Sequence, residues 1–128
     1  MEDGFFNCEG WQALLDREGM PASSASIGLL RRKDFAARRG TLLLWRSDAE
    51  GCRADLREYN GAAGSDVAVL LVADDEALAT LREGGRAVLP GMIRRGRLSP
   101  YILKTMGELE SAGLAEFVED LELAVPRH

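Results

Sequence analysis

The sequence predicts an α/β fold: a small mixed or parallel sheet of four to five strands flanked by helices, with an N-terminal helix. The run Val67 to Ala73 (VAVLLVA) has no polar alternation, which is typical of a strand buried on both faces. From residue 41 onward, apolar runs alternate with stretches that carry helix caps. Such alternation favours parallel strand pairs with helices packed on them. We expect a single domain over residues 1–128, because one core typically takes about 100–150 residues.

A short helix is predicted at the front of the chain. Asn7 can cap its N-terminus, and Phe6 precedes the cap as one half of a hydrophobic staple. Gly19 is a natural stop, because glycine readily takes the left-handed conformation that ends helices. The apolar face of this helix consists of Trp11, Leu14 and Leu15.

Residues 26–45 leave two alternatives open. Their two apolar runs, 27–30 and 41–45, form either two strands of a hairpin or a helix followed by one strand. We favour the hairpin because Gly40 stands directly before the second run.

Two helices are predicted on either side of the buried run. Ser47 and Glu50 have the spacing of a capping box, which predicts a helix that carries Cys52 on its apolar face and ends at Asn60 and Gly61. Asp74 has the residue type of an N-cap, so we expect a second helix to begin directly after the run.

A weaker strand and the helix with the clearest signals are predicted further on. Residues 86–93 form a strand that is short or at an edge, because Pro90 cannot donate a hydrogen bond. Ser99 and Pro100 are preferred at the N-cap and first position of a helix, and Gly113 ends it. Beyond it, residues 116–125 fit either a final strand or a short helix.

Composition excludes several classes of function. Lys and Arg number 16 against 21 Asp and Glu, and this acidic balance argues against nucleic acid or a membrane as partner. Cys8 and Cys52 are far apart, and His128 is the last residue, so triads and thiolate metal sites lack the required groups. We predict no catalytic residue, no metal and no cofactor, and two free thiols in or near the core.

The N-terminal residues and the length of the apolar runs indicate the cellular compartment. Residues 1–6 (MEDGFF) lack the basic and apolar regions of a signal peptide. The run 67–73 is far shorter than the ~20 residues that span a bilayer. We therefore expect a cytoplasmic protein.

Candidate binding residues follow the ends of the predicted parallel strands, where α/β sheets bind their ligands. Arginine forks suit oxyanions, so the predicted function is a non-catalytic binding or regulatory domain for a small anionic ligand or a protein partner. The residues expected at this shared rim are Arg46, Ser47, Asp74, Asp75, Arg94, Arg95 and Arg97.

Charge is unevenly distributed along the chain. Bases cluster in residues 31–39, whereas residues 108–122 hold six acids and no base. Such opposite surfaces can meet across a symmetric dimer, so self-association is an expected form of partnership.

Two resemblances define the alternative functions. The segment Val67 to Leu78 (VAVLLVADDEAL) resembles the first strand and acidic pair of a two-component receiver domain, which implies a metal held by Asp74 and Asp75. Only 53 residues follow Asp75, too few for the rest of such a domain, so we reject phosphotransfer. A carboxylate- or metal-dependent enzyme that uses Asp48, Asp74 and Asp75 stays an alternative.

The second resemblance concerns nucleic acid. Residues 98–114 (LSPYILKTMGELESAGL) are similar to the recognition helix of a winged helix, through Leu109, Glu110 and Gly113. This implies a nucleic-acid binder built on residues 98–125 as a further alternative. Acids occupy the segment where the wing would lie, and they oppose phosphate contacts.

Overall fold

The protein is described here from a computed structural model that covers residues 8–20, 22–48 and 50–121. A five-stranded sheet has the order β3-β2-β1-β4-β5, in which β1 and β4 are parallel and the other neighbouring pairs are antiparallel. Helices flank it, with a helix at the N-terminal side, so the predicted fold class is confirmed. The strands are β1 (Ser26–Arg31), β2 (Gly40–Asp48), β3 (Gly51–Tyr59), β4 (Val67–Ala73) and β5 (Leu98–Ile102).

Six helices and one short 3₁₀ turn, Arg86–Val88, lie in the described part of the chain. The caps predicted at Phe6 and Asn7 fall outside the described residues. The helices are α1 (Cys8–Glu18), α2 (Arg32–Ala37), α3 (Asp75–Gly84), α4 (Leu89–Arg94), α5 (Met106–Ala112) and α6 (Ala115–Asp120).

The middle of the sheet is buried on both faces. On one face, side chains from α1, α3, α4, α5 and α6 form the larger core, in which the rings of Trp11 and Trp45 lie 6.2 Å apart. On the other face a smaller core is formed by Leu30, Leu42, Leu44, Tyr59, Val67, Leu70 and Val72. Both faces of β4 are therefore covered, as its unbroken apolar run predicted.

Gly28 brings the smaller core together. A Cβ atom placed on Gly28 would lie 3.0 Å from a methyl carbon of Leu42 and 3.2 Å from one of Leu70. The missing side chain thus lets residues from β2 and β4 close over β1.

The favoured hairpin of residues 26–45 is confirmed, since β1 and β2 pair antiparallel with Leu29 opposite Leu43. The connection holds the short helix α2. Its last residue is followed by Arg38 in the left-handed conformation, at φ 62°.

The helix predicted from Ser47 is wrong, because residues 51–59 form strand β3 in a hairpin with β2. Of the two capping-box residues, Ser47 belongs to β2 and Glu50 lies in the turn, where Asp48 accepts a hydrogen bond from the Glu50 backbone N–H at 2.8 Å. Cys52, Ala54 and Leu56 also recur with the period of a strand, so the same residues satisfied both periodicities.

The strand predicted over residues 86–93 is also wrong. These residues form the 3₁₀ turn and α4, whose buried side chains are Leu89 and Met92. Pro90 lies in the first turn of α4. Backbone N–H groups in that turn make no hydrogen bond within the helix, so proline is tolerated there.

The helix predicted to have Ser99 as its N-cap begins six residues later, as α5. Ser99 and Pro100 belong to β5, and Thr105 caps α5 in a reciprocal capping box with Glu108, at 3.1 and 2.8 Å. Gly113 ends the helix as predicted, at φ 88°. Residues 115–120 form the short helix α6, and residues after 121 lie outside the description.

β5 is an edge strand, and its proline points to the open side. Leu103 donates its N–H to the carbonyl oxygen of Ala68 at 2.8 Å. Because N–H groups alternate in direction along a strand, the nitrogen of Pro100 faces away from β4. The outer edge of the sheet therefore lacks a backbone donor at this position.

Candidate functional site

The three successive parallel strands expected to gather one rim do not occur. β2 runs antiparallel to β1, and its C-terminal residues lie at the end where β1 and β4 begin. Arg46 and Ser47 are therefore at the opposite end of the sheet from Asp74 and Asp75. The prediction of a single rim is wrong for this reason, and the structure divides the seven residues into two groups.

Arg46 and Ser47 are engaged within the fold. Arg46 lies 3.4 Å from a carboxylate oxygen of Asp55 and 3.8 Å from one of Asp66. Ser47 is buried and donates its hydroxyl to the carbonyl oxygen of Met20 at 3.1 Å. Both residues line a polar cleft of only about 160 Å³ together with Ser23 and other short polar side chains.

The strongest ion pair at that end was not foreseen from the sequence. Arg57 on β3 donates two hydrogen bonds, of 2.9 and 2.7 Å, to the two carboxylate oxygens of Asp66. These hydrogen bonds, together with the charges of Arg57 and Arg46, lower the pKa of Asp66 to about 2. The pair joins β3 to the loop before β4. It was missed because the residues of β3 were predicted to form a helix.

Asp74 and Asp75 lie at the other end, where β1 and β4 finish. Asp74 caps α3 as predicted, accepting from the backbone N–H of Ala77 at 2.8 Å. Asp75 lies 3.9 Å from Arg31, whose Nε is also 3.5 Å from the buried carboxylate of Asp34. Asp74 and Asp75 line an open groove of about 600 Å³ that also contains Arg32 and Lys33.

One cleft of about 440 Å³ at this same end of the sheet is lined by Arg94, Arg95 and Arg97. The three arginines lie where α4 ends and the chain enters β5. We call this cleft the arginine cleft. Its other lining residues are neutral: Thr80, Ala87, Val88, Pro90, Gly91 and Met92.

Two of these guanidinium groups converge over Gly91. A Cβ atom built on Gly91 would lie 3.3 Å from Nη1 of Arg95 and 4.0 Å from Nη2 of Arg94. The absent side chain therefore leaves room for both cations above the helix backbone.

Arg97 is held from two sides. Its carbonyl oxygen accepts a hydrogen bond from Arg32 at 3.3 Å, and its guanidinium lies 3.9 Å from Glu76. Through these contacts the arginine cleft adjoins the groove at Asp74 and Asp75. The structure thus groups five of the seven predicted residues at one end of the sheet.

The geometry does not support the two alternative functions. Asp48 lies at the β2–β3 turn, at the opposite end of the sheet from Asp74 and Asp75, so the three carboxylates do not form one site. Within residues 8–20, 22–48 and 50–121, no cluster of three or more His, Cys, Asp or Glu side chains is placed to hold a metal ion. Residues 98–121 form β5, α5 and α6, rather than a recognition helix that begins at Ser99 followed by a wing.

The two thiols are free and half-buried. Burial, followed by the charge of Asp55, raises the pKa of Cys8, which disfavours the reactive thiolate. Cys52 lies on β3 with its sulfur 3.6 Å from the hydroxyl oxygen of Ser47, and it is not on the helix predicted for it.

None of the helices in the described ranges is both long enough and apolar enough to cross a bilayer.

No protein-family model matches the sequence, and no curated protein matches it at a significant level. Among solved structures, the chain is similar to the apo form of Sterol Carrier Protein 2 from Yarrowia lipolytica. The two are 16% identical over 92% of this chain and 80% of that one, with a TM-score of 0.38. A likeness of this strength does not assign a family or a ligand.

Proposed function

We propose that the chain is a non-catalytic binding domain that takes a small organic anion in the arginine cleft. The observation that carries this proposal is the convergence of Arg94 and Arg95 over Gly91, in a cleft that Arg97 also lines. The three residues belong to the set predicted from the sequence as ligand-binding.

Electrostatics supports an anionic ligand. Among the described residues, the side chains that line the cleft are either neutral or cationic, and Glu76, which lies 3.9 Å from the Arg97 guanidinium, is outside this lining. Arg94, Arg95 and Arg97 place three cationic side chains in the lining of one cleft, and an anion bound among them is attracted by all three. Arginine is also suited to the bidentate hydrogen bonds that carboxylate and phosphate oxygens accept.

The cleft's size and remaining surface support a ligand with a carbon body. Small-molecule sites occupy about 300–1,000 Å³, and the arginine cleft falls within that range. Val88 and Pro90 supply apolar surface beside the cations. A bare inorganic ion would leave this surface uncovered, whereas an aromatic or aliphatic phosphate or carboxylate would cover it.

Calorimetric titration with phenyl phosphate, benzoate and inorganic phosphate tests the proposal. We expect phenyl phosphate to bind more tightly than inorganic phosphate, and Arg94→Ala/Arg95→Ala to weaken that binding at least tenfold. The control is Arg38→Ala/Arg39→Ala, which removes the same charge from an exposed pair outside the cleft. Equal losses in both double variants, or no binding by the unmodified chain, would overturn the proposal.

A further inference from the structure

One short segment, residues 101–106 at the end of β5 and the start of α5, exposes large apolar side chains. Among the described residues five such side chains are exposed, and four of them lie in this segment. They are Tyr101, Ile102, Leu103 and Met106, each between 36% and 52% exposed. Scattered single apolar residues are normal on a protein surface, whereas a concentration of this kind marks a contact surface. We call these four residues the apolar edge.

The apolar edge is convex. Tyr101 lies opposite Leu70 of the smaller core, whereas Ile102 lies opposite Val69 of the larger core. Neighbouring side chains point to opposite faces of a sheet, so the apolar edge projects on both sides of the outermost strand. The ring of Tyr101 is held by that of Phe35 on α2, with the centroids 5.1 Å apart. A wedge of this shape fits a partner that deforms around it better than one that needs a groove.

The backbone of the same strand discourages a second strand as the partner. Pro100 has no N–H, and its nitrogen faces the open side, so a ladder of hydrogen bonds from another chain is interrupted there. The same feature leaves one backbone donor fewer to be desolvated where water is scarce.

Cations beside the apolar edge indicate the charge of the partner. Lys104 lies within the segment, and residues 95–107 contain three bases and no acid. On α2, Arg32 reaches over β5 and donates to the carbonyl oxygen of Arg97. Arg32 and Lys33 are exposed, and in the part of the chain that the structure describes neither forms an ion pair.

The acids of the adjoining groove have other partners. Asp75 lies 3.9 Å from Arg31, and Glu76 lies 3.9 Å from Arg97. Asp74 caps α3. The charges of Arg32 and Lys33 are therefore available to an external anion.

The nearest acid along the chain is also engaged. Glu108 follows the apolar edge by two residues, and its carboxylate accepts the backbone N–H of Thr105 at 2.8 Å. It is thus held at the start of α5 as part of the capping box. The net charge of −5, from which we expected no membrane as partner, is an average over the whole chain and does not describe this surface.

We propose that the apolar edge docks the chain on the surface of an anionic lipid bilayer. Tyr101, Leu103 and Met106 enter the headgroup region, where tyrosine rings are favoured, and Lys104 extends its amine toward the lipid phosphates. Because few side chains enter, the docking is reversible and is strengthened by negatively charged lipid. It stands independently of the proposed anion binding.

Flotation with vesicles of phosphatidylcholine, alone or mixed with an equal part of phosphatidylglycerol, tests the docking. We expect the unmodified chain to float with the mixed vesicles at low ionic strength, and more weakly with phosphatidylcholine alone. Added salt should reduce the fraction bound to the mixed vesicles, because it screens the cations. No flotation with the mixed vesicles at low ionic strength would overturn the proposal.

Paired variants locate the contact. Leu103→Ser/Met106→Ser should lower partitioning into the mixed vesicles at least tenfold, because two apolar side chains no longer enter the lipid. The matched control is Leu56→Ser, which removes the fifth exposed apolar side chain, on β3 at the opposite edge of the sheet. Lys104→Gln should weaken binding to the mixed vesicles alone. Equal losses in the double variant and in Leu56→Ser contradict docking through the apolar edge.

A fluorescent reporter adds a positional readout. The two tryptophans of the chain, Trp11 and Trp45, are buried, so their surroundings are already apolar. A Leu103→Trp variant places an indole at an exposed position, and the mixed vesicles should shift its emission to shorter wavelength. Bound vesicles without this shift would show that residue 103 stays in water.

Other occupants give different results. If Arg94→Ala/Arg95→Ala prevents flotation and Leu103→Ser/Met106→Ser does not, lipid phosphates bind the arginine cleft and the proposed docking is refuted. If the unmodified chain does not float but sediments as a dimer that Leu103→Ser/Met106→Ser dissociates, the apolar edge is an interface between two copies. Flotation without phenyl phosphate binding refutes the proposed function alone, and phenyl phosphate binding without flotation refutes the docking alone.

Discussion

The side-chain amide of Gln12 pairs with the backbone of Ala54 and Cys52 as a further strand would. Gln12 on α1 accepts the Ala54 N–H at 2.8 Å and donates to the carbonyl oxygen of Cys52 at 2.9 Å. These backbone groups lie on the side of β3 that faces away from β2. A helix side chain thus satisfies part of an edge that would otherwise offer free donors and acceptors.

Replacing Gln12 with leucine should reduce the free energy of unfolding by about 1–3 kcal/mol, because half-buried backbone groups lose their partners. Urea denaturation measures the change. Asp16→Asn serves as the control, since Asp16 is exposed and only accepts from the same amide at 2.9 Å. A loss no larger than that of the control would show that the contact is not stabilising.

Acid should weaken the fold through Asp66. Its pKa is lowered to about 2 in the folded chain, below the ~3.9 of an unfolded aspartate. A group with a depressed pKa contributes stability that is present above the unfolded value and is lost as pH falls toward the folded value. We expect the unfolding free energy to drop between about pH 4 and pH 2, and the Asp66→Asn variant to show a shallower drop in that window.

Denaturation curves at a series of pH values measure how the unfolding free energy of each variant falls with pH. Asp16→Asn removes one exposed carboxylate elsewhere and is the matched control. Equal slopes for Asp66→Asn and the unmodified chain would mean that the pair with Arg57 contributes nothing to the pH dependence.

Gly91→Ala should separate stability from binding. Alanine favours a helix interior by up to about 1 kcal/mol over glycine, so thermal stability should hold or rise. Its methyl group would enter the space between the Arg94 and Arg95 guanidinium groups, and phenyl phosphate should bind more weakly. Gly107→Ala in α5, where the nearest atom outside the helix backbone is the Thr105 hydroxyl oxygen at 4.0 Å, should leave binding unchanged. Undiminished binding in Gly91→Ala would argue that the ligand sits elsewhere.

The start of α5 can be located by paired substitutions. Thr105→Ala removes a capping hydroxyl and should reduce the unfolding free energy by about 1 kcal/mol. Ser99→Ala should have a smaller effect, because Ser99 lies in β5 and caps no helix. Thermal denaturation of both variants decides between the observed start and the one predicted from the sequence, for which the order of the two effects would be reversed.

Local chemistry predicted some elements well. The buried run of β4, the cap at Asp74 and the stop at Gly113 depend on residues close in sequence, and they occur as expected. The front hairpin was also predicted, because Gly40 marks where the chain turns back into β2.

Other elements depend on partners that are distant along the chain. Residues 51–59 fit a helix and a strand equally by periodicity, and pairing with β2 decides for the strand. Pro100 fits the start of a helix, yet pairing with β4 places it at a sheet edge. The prediction of a single rim was wrong for the same reason, because the direction of each strand is decided by how it pairs within the whole sheet.

The proline that faces outward from β5 has a consequence for how this chain meets others. A strand from another molecule that approached this side would find no donor opposite Pro100, so backbone ladders cannot continue the sheet there without a gap. Fibril-like stacking through β5 is thereby discouraged.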